Sequence, residues 1–490
     1  MLGCGLVSGR RLLLPAGLLL LVSGGGLAAQ TTQPVEGTTG QPPAAAESPA
    51  TETQPAGRAA HPRSGGWGTR LETEPPGYVR PLGESGIPGF ESVDWLDFGL
   101  EHRTRFEYRS DYRRSNLADD NQFLLRSRVY FGIRRILDPL RLVVEFQDCR
   151  QFNSDFGDRT RDVDEADFLQ AFAELHFEDA LGEGYPLAFR SGRMTLEYVD
   201  RRLVGRNRWR NTTNSFDGFR LRLGQPTSDW QVDVFAVQPV ERLMTKLNRT
   251  DEERWFYGLV GAWRTWSRYV TLQPYYYVLD EDRNDPDQVD RELHTLGLHA
   301  FGPIGQTGFD YDLDTAFQFG ERGGGRHRAF AVYGELGYTF QHAWRPRLAF
   351  STAYATGDQD PDDETDERFD RLFEATHPWS MSDLFSWQNT ITPKLRLSLK
   401  PTKKLSVDTS YGGYWLANAS DAWVIPGRQD PGGDSGSFVG QEVEIRLRYR
   451  LHRRLELEAG YAHFFPGGFV EETGPCDDAD MFYVQTTLRF

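Results

Sequence analysis

Long hydrophobic runs are scarce in this chain of 490 residues. Outside residues 12–22 no stretch approaches the ~20 apolar residues that a membrane-spanning helix needs, so a helical membrane protein is excluded. Lysine is nearly absent. It stands only at positions 246, 394, 400, 403 and 404, which leaves arginine as 50 of the 55 basic residues. A surplus of positive charge is missing too: the formal net charge of −16 argues against a nucleic-acid partner. Cysteine occurs three times, as Cys4, Cys149 and Cys476. That is too sparse for a disulfide scaffold, and it leaves a Cys149–Cys476 pair as one option. No Gly-x-Ser-x-Gly, His-Glu-x-x-His or Cys-x-x-Cys constellation is present, and ten scattered histidines specify no catalytic set. A channel rather than an enzyme is expected, with no cofactor and no metal. Asp280, Asp282 and Asn284 resemble the start of a calcium loop. However, Asp285 stands where such a loop needs Gly, and Arg291 where it needs a bidentate Glu.

The first 29 residues read as a secretory signal. Arg10 and Arg11 precede the apolar core, and Leu27-Ala28-Ala29 forms a small-residue cleavage site before Gln30. Residues 30–90 are rich in Pro, Thr, Ala and Gly without periodicity, and are expected to form a disordered periplasmic extension.

From residue 91 to Phe490 the texture changes to period-2 alternation, the mark of strands with two different faces. Val443, Ile445, Leu447, Tyr449 and Leu451 share one face, opposite Glu442, Glu444, Arg446, Arg448 and Arg450. Phe123, Leu125, Val129, Phe131 and Ile133 oppose Leu124, Arg126, Arg128 and Tyr130. Phe219, Leu221 and Leu223 oppose Arg220 and Arg222. Aromatic residues make up 13 % of the chain and crowd the strand ends, as in Tyr275-Tyr276-Tyr277, Trp263, Trp266, Trp415 and Phe464-Phe465. Such rings suit the girdles of a membrane barrel. Short turns alternate with long polar segments, and the count between them gives about eighteen strands. The last strand ends on Phe490, as strands read by the outer-membrane insertion machinery do. The expected fold is therefore all-β: a transmembrane, antiparallel, up-and-down β-barrel, with apolar residues toward lipid and arginines toward the bore.

Three stretches then carry a resemblance. The first runs Ser191-Gly192-Arg193-Met194-Thr195-Leu196-Glu197-Tyr198, through Asp200, Arg202-Leu203-Val204-Gly205, Arg206, Trp209 and Asn211, to Phe216-Asp217-Gly218. The second is Tyr354-Ala355-Thr356-Gly357-Asp358, then Phe369-Asp370-Arg371-Leu372-Phe373, His377, Asp383 and Trp387-Gln388-Asn389. The third is Gly460-Tyr461-Ala462-His463-Phe464-Phe465-Pro466-Gly467. In this order the set resembles the alginate export porins. The resemblance implies an eighteen-stranded barrel with a narrow electropositive constriction that exports a polyuronate across the bacterial outer membrane. The residues expected to set selectivity are Arg126, Arg128, Arg220, Arg222, Arg446, Arg448 and Arg450 from strand alternation, with Arg193, Arg202 and Arg206 added from motif position. The loop carrying Trp209 and Asn211-Thr212-Thr213-Asn214 is a candidate inward constriction. Expected partners are an anionic polysaccharide, outer-membrane lipid, the barrel-insertion machinery and a periplasmic export scaffold. The alternative reading is a general outer-membrane porin for uptake of oligosaccharides or small anions. A further alternative is that lumenal arginines merely pair with lumenal carboxylates and brace the wall.

Overall fold

The computed structural model describes residues 73–111, 119–283 and 289–490. The expected signal and the first part of the extension, residues 1–72, lie outside the described residues, as do Asn284 and Asp285 of the acidic loop.

The described residues form eighteen long antiparallel strands, from Leu96–Arg109 to Ala479–Arg489, each hydrogen-bonded to the next along the chain. The first strand also pairs with the last, from Glu101 opposite Arg489 to Arg109 opposite Met481, and this closes the ring. Closure matters because a strand edge in lipid would leave N–H and C=O groups without partners. Phe490 completes the seam: its N–H donates to the Leu100 carbonyl at 2.8 Å, and the Leu100 N–H to the Phe490 carbonyl at 2.9 Å.

The burial pattern is the inverse of a water-soluble protein. In Leu96–Arg109, Asp97, Glu101, Arg103, Arg105, Glu107 and Arg109 are buried, while Leu96, Phe98 and Phe106 face outward. Phe131, Phe219, Leu296, Phe317, Phe350 and Ile445 are exposed. A sandwich with a solvated polar face would show the opposite. Apolar side chains turned out and charges turned in suit a wall between hydrocarbon and a polar bore, and eighteen strands leave room for one.

At the end where the strand Leu96–Arg109 begins and the strand Ala479–Arg489 finishes, the connections are short, such as 134–139, 224–229 and 453–454. Trp263, Trp266, Tyr269 and Trp344 are exposed near this rim, a girdle of rings. At the other end lie the long loops, with one exception: Arg322 and Gly325 are joined by Gly323-Gly324, both at positive φ, in a tight hairpin. The aromatic runs divide between faces. Tyr276 and Phe465 point outward, but Tyr275, Tyr277 and Phe464 are buried in the lumen, because successive side chains of a strand alternate. The girdle expected of all eight rings is thus corrected for these three.

Of the expected extension, only residues 73–90 are described. Residues 73–90 are ordered against the barrel: Arg80–Pro81 pairs with Asp97 and Phe98, and the Tyr78 hydroxyl donates to Glu145 deep in the lumen. Pro- and Gly-rich composition hid this, because the segment borrows its partners from the wall instead of from itself.

Candidate functional site

Two loops from the long-loop end fold into the bore. In the first, residues 195–215, Val199, Asp200 and Arg201 take positive φ values of 46°, 50° and 66° in succession. Such strain, roughly 1–3 kcal/mol per residue, is held by tertiary contacts. Arg202 lies 2.9 Å from Asp312 and 3.2 Å from Asp314 of the strand Phe309–Arg322, with its guanidinium 4.1 Å above the Tyr333 ring. Further along, the Asn211 amide donates to the carbonyls of Leu125 (2.9 Å) and Asp162 (2.9 Å), and its Oδ1 accepts from Arg103. The loop therefore lies against the first strands of the barrel.

The second loop, residues 356–393, pairs with the first inside the lumen. The Phe373 N–H donates to the Leu203 carbonyl at 2.8 Å, and the Gly205 N–H to the Phe373 carbonyl at 3.0 Å. Trp209 stacks on His377 with ring centroids 4.0 Å apart, and the Arg105 guanidinium lies 3.9 Å from the centroid of the same Trp209 ring. Glu374 is buried, accepting from Trp379 Nε1 (3.0 Å) and the Trp387 N–H (3.1 Å). Burial pushes its carboxyl up to about 7, against the smaller opposing effect of Arg371. Burial, reinforced by Arg446, pulls the His377 imidazole down to about 3, so the ring stacked on Trp209 is neutral.

The wall beneath the first loop carries a concentration of guanidinium groups. Arg105 is paired with Glu107 at 2.6 Å and Arg126 with Glu101 at 2.9 Å. Arg103 and Arg128 differ. Arg103 donates to the carbonyls of Arg208 (2.8 Å) and Arg210 (3.1 Å) and to Asn211 Oδ1 (2.9 Å). Arg128 donates to Gln147 Oε1 (2.8 Å) and Thr213 Oγ1 (2.7 Å). Among the described residues neither touches a carboxylate, although both are buried.

The other expected residues are distributed around the ring. Arg220 and Arg222 converge on Asp233, at 2.6 and 3.1 Å. Arg206 reaches Glu145 at 2.9 Å. Arg193 grips Asp217 through two parallel bonds of 2.9 Å at the long-loop end of its strand. Arg446 lies 3.6 Å from Asp408 and Arg448 2.9 Å from Glu458. Arg450 is exposed at the short-turn rim, away from the others. Most of these arginines are thus braced by acids, as the wall-bracing alternative holds. Arg103, Arg105 and Arg190 escaped sequence reasoning. His102 and Thr104 break the apolar face of their strand and mask the alternation, yet Arg103-x-Arg105-x-Glu107-x-Arg109 was legible as a charged period-2 run.

Cys149 is a free, buried thiol within the strand Leu140–Phe152, its Sγ 3.0 Å from the Asn211 carbonyl, so the optional pair with Cys476 is not formed. Among the described residues, Asp200, His299 and Asp312 gather possible metal-ligand atoms within 4.8 Å. Arg202 already supplies the positive charge there. Arg291 belongs to a barrel strand and pairs with Glu281 and Asp370, which removes it from any calcium loop.

The fold is shared with solved barrels at low sequence identity. OccAB2 of Acinetobacter baumannii matches with a TM-score of 0.56 at 11 % identity, covering 81 % of this chain and 98 % of that one. OccK8 (OprE) of Pseudomonas aeruginosa matches with 0.55 at 14 %. OpdK of the same species, solved with vanillate, matches with 0.55 at 12 %. Coverage is the same for both, 81 % and 98 %. No curated protein matches the sequence. The fold is that of outer-membrane porins. The sequence profile of the alginate export family matches residues 94–484, nearly the whole barrel, and the chain belongs to that family.

Proposed function

We propose that this porin resides in the bacterial outer membrane and forms an arginine-lined, anion-selective channel for the passive export of an anionic polysaccharide, alginate or a similar polyuronate. The observation that carries the reading is the pair Arg103 and Arg128. A buried charge without an opposite charge is costly and calls for a counter-ion. Arginines braced by acids are already satisfied, but these two hold only neutral oxygens. A polyuronate brings about one carboxylate per sugar. In a narrow bore guanidinium forks replace the water it sheds with charge-assisted, often bidentate hydrogen bonds. Binding must stay weak and multi-site for the polymer to leave. Family membership supports the polymer, and the outward apolar belt supports contact with outer-membrane lipid. Phe490 at the seam supports recognition by the insertion machinery, and a periplasmic scaffold would feed the short-turn mouth. No cofactor or metal enters this scheme.

The test is a planar-bilayer recording across a salt gradient. The reversal potential should report anion preference, and polymannuronate should block the current. R103Q together with R128Q should weaken the block about tenfold or more, on the scale of a single charge–charge contact in partly screened surroundings. Cation selectivity in the parent protein would refute the reading. A second reading, uptake of small anions or oligosaccharides, is favoured by the two loops that occupy the lumen. The vanillate bound to OpdK is itself a small carboxylate. Under that reading glucuronate permeates and the polymer leaves the current unchanged.

A further inference from the structure

The short-turn end of the bore contains a second cluster of guanidinium groups whose partners are unequal. Arg190 pairs with Glu174 at 2.7 Å, and Arg220 and Arg222 share Asp233. The third carboxylate does not come from the wall. Glu74, in the segment that precedes the barrel, reaches all three arginines, at 3.2 Å from Arg190, 2.8 Å from Arg220 and 3.3 Å from Arg222. The wall alone thus offers three guanidinium groups and two carboxylates. Glu74 makes the balance, and without it the cluster carries one uncompensated positive charge. Arg141 stands on the far side of Glu174 at 3.9 Å and has its own carboxylate, Glu178, at 3.9 Å, so it leaves the balance at Arg190, Arg220 and Arg222 unchanged; His176 lies 3.7 Å from Glu174.

The wall side of the cluster is built rather than incidental. Arg190 and Arg220 are buried, with Arg190 lying 3.9 Å over the Phe172 ring and Arg220 5.5 Å over the Tyr198 ring. These rings hold the guanidinium planes whether or not an acid is bound. The Glu74 side chain, by contrast, remains 35 % exposed, so solvent and solutes reach it. Burial raises its carboxyl, but Arg220 and Arg190 outweigh that and hold it at about 2, ionised across the physiological range. Glu74 is therefore a carboxylate ligand on a tether, anchored downstream by Tyr78 on Glu145 and by Arg80–Pro81 on the first strand.

We propose that Arg190, Arg220 and Arg222 form a carboxylate-binding site at the short-turn mouth, that Glu74 occupies it in the resting channel, and that a uronate carboxylate entering from this end displaces Glu74 to be taken up. The proposal deepens the export reading and rests on it for the identity of the ligand. The tether lowers apparent affinity by the fraction of time the site is occupied, so a site held nine-tenths of the time by Glu74 binds about tenfold more weakly.

The experiment uses the full-length porin in planar bilayers, with oligomannuronate added on the side of the short turns. E74Q should lower the half-blocking concentration about tenfold. R220Q in the E74Q background should remove the gain, and E74D should stay close to the parent protein. Equal half-blocking concentrations in parent and E74Q would overturn the proposal. If the oligomer blocks neither protein, the polyuronate reading fails, and the same comparison is made with free glucuronate. A tighter response of E74Q then upholds the carboxylate site, and an equal response overturns it.

Discussion

Glu374 makes the docking of the second inward loop depend on pH in a direction that can be calculated. When the loop is docked, burial lifts the carboxyl from its ordinary 4.5 to about 7. When the loop is released into water, the ordinary value returns. Below pH 4.5 both states are protonated and docking is fully favourable. Between 4.5 and 7 the released state ionises while the docked state does not, so docking loses free energy as pH rises, and the loss is complete above 7. A difference of about 2.5 units corresponds to about 3 kcal/mol, a hundredfold or more in the ratio of docked to released loop. The environment agrees in sense: Glu374 Oε2 accepts from Trp379 and Trp387, while Oε1 has no hydrogen-bond partner among the described residues. E374Q keeps the acceptor and is never charged. In single-channel recordings from pH 5 to 8, the parent protein should show loop-opening events that become more frequent up to pH 7 and then level off. E374Q should show few at any pH. Should the two proteins share one pH dependence, or should opening in the parent fall as pH rises, the reasoning is wrong.

Other perturbations follow from the same geometry. R202M leaves Asp312 and Asp314 buried without their cation, at a cost of about 3–5 kcal/mol; the mean conductance should rise, and an unchanged conductance would show that Arg202 does not hold the first loop. I445R places a charge on the lipid face and should lower the urea midpoint of folding in vesicles by the equivalent of about 2–4 kcal/mol, whereas R446Q next to it should cost less because its side chain faces the bore. G460V puts a Cβ 2.2 Å from Cε1 of Tyr483 and should push that ring off Glu458, its hydrogen-bond partner at 2.8 Å. Overpacking of about 1–3 kcal/mol, seen as a lower heat-modification temperature on gels, checks this.

The sequence made the wall legible and the bore only partly so, for a physical reason. Alternation in 123–133, 219–223 and 442–451 follows from the two-residue period of a strand, a local property. It placed Arg126, Arg128, Arg220, Arg222, Arg446 and Arg448 on the inner face. The partners of those arginines are non-local. Nothing near Arg220 announces that Glu74, 146 residues away, will meet it. Nothing near Arg103 announces the carbonyls of residues 208–210. Three of the eight crowded rings, Tyr275, Tyr277 and Phe464, face the lumen because crowding at a strand end is visible in composition while the facing of each ring depends on register. The Gly323-Gly324 hairpin was missed because it is the one connection at the long-loop end without a polar segment to mark it.

A count of arginines therefore says little about what such a channel passes. Arg193 with Asp217, and Arg347 with Asp310 and Glu335, are held by acids fixed in the same wall. A passing anion gains little from them, because it would have to break a geometry as good as the one it offers. The arginines that can exchange partners are those whose present partners are neutral, as for Arg103 and Arg128, or whose acid arrives on a tether, as for Arg220 with Glu74. The two sets lie at different depths along the bore, the tethered one near the short turns and the neutral one beneath the inward loop. A polymer with a carboxylate on each sugar can engage both in succession, whereas a monomer must leave one before it reaches the other. The difference predicts that blocking strength rises steeply with oligomer length until both sets are spanned, and then flattens. A block that scales only with total uronate concentration, independent of chain length, would show that the two sets act as one site or that only one of them meets the solute.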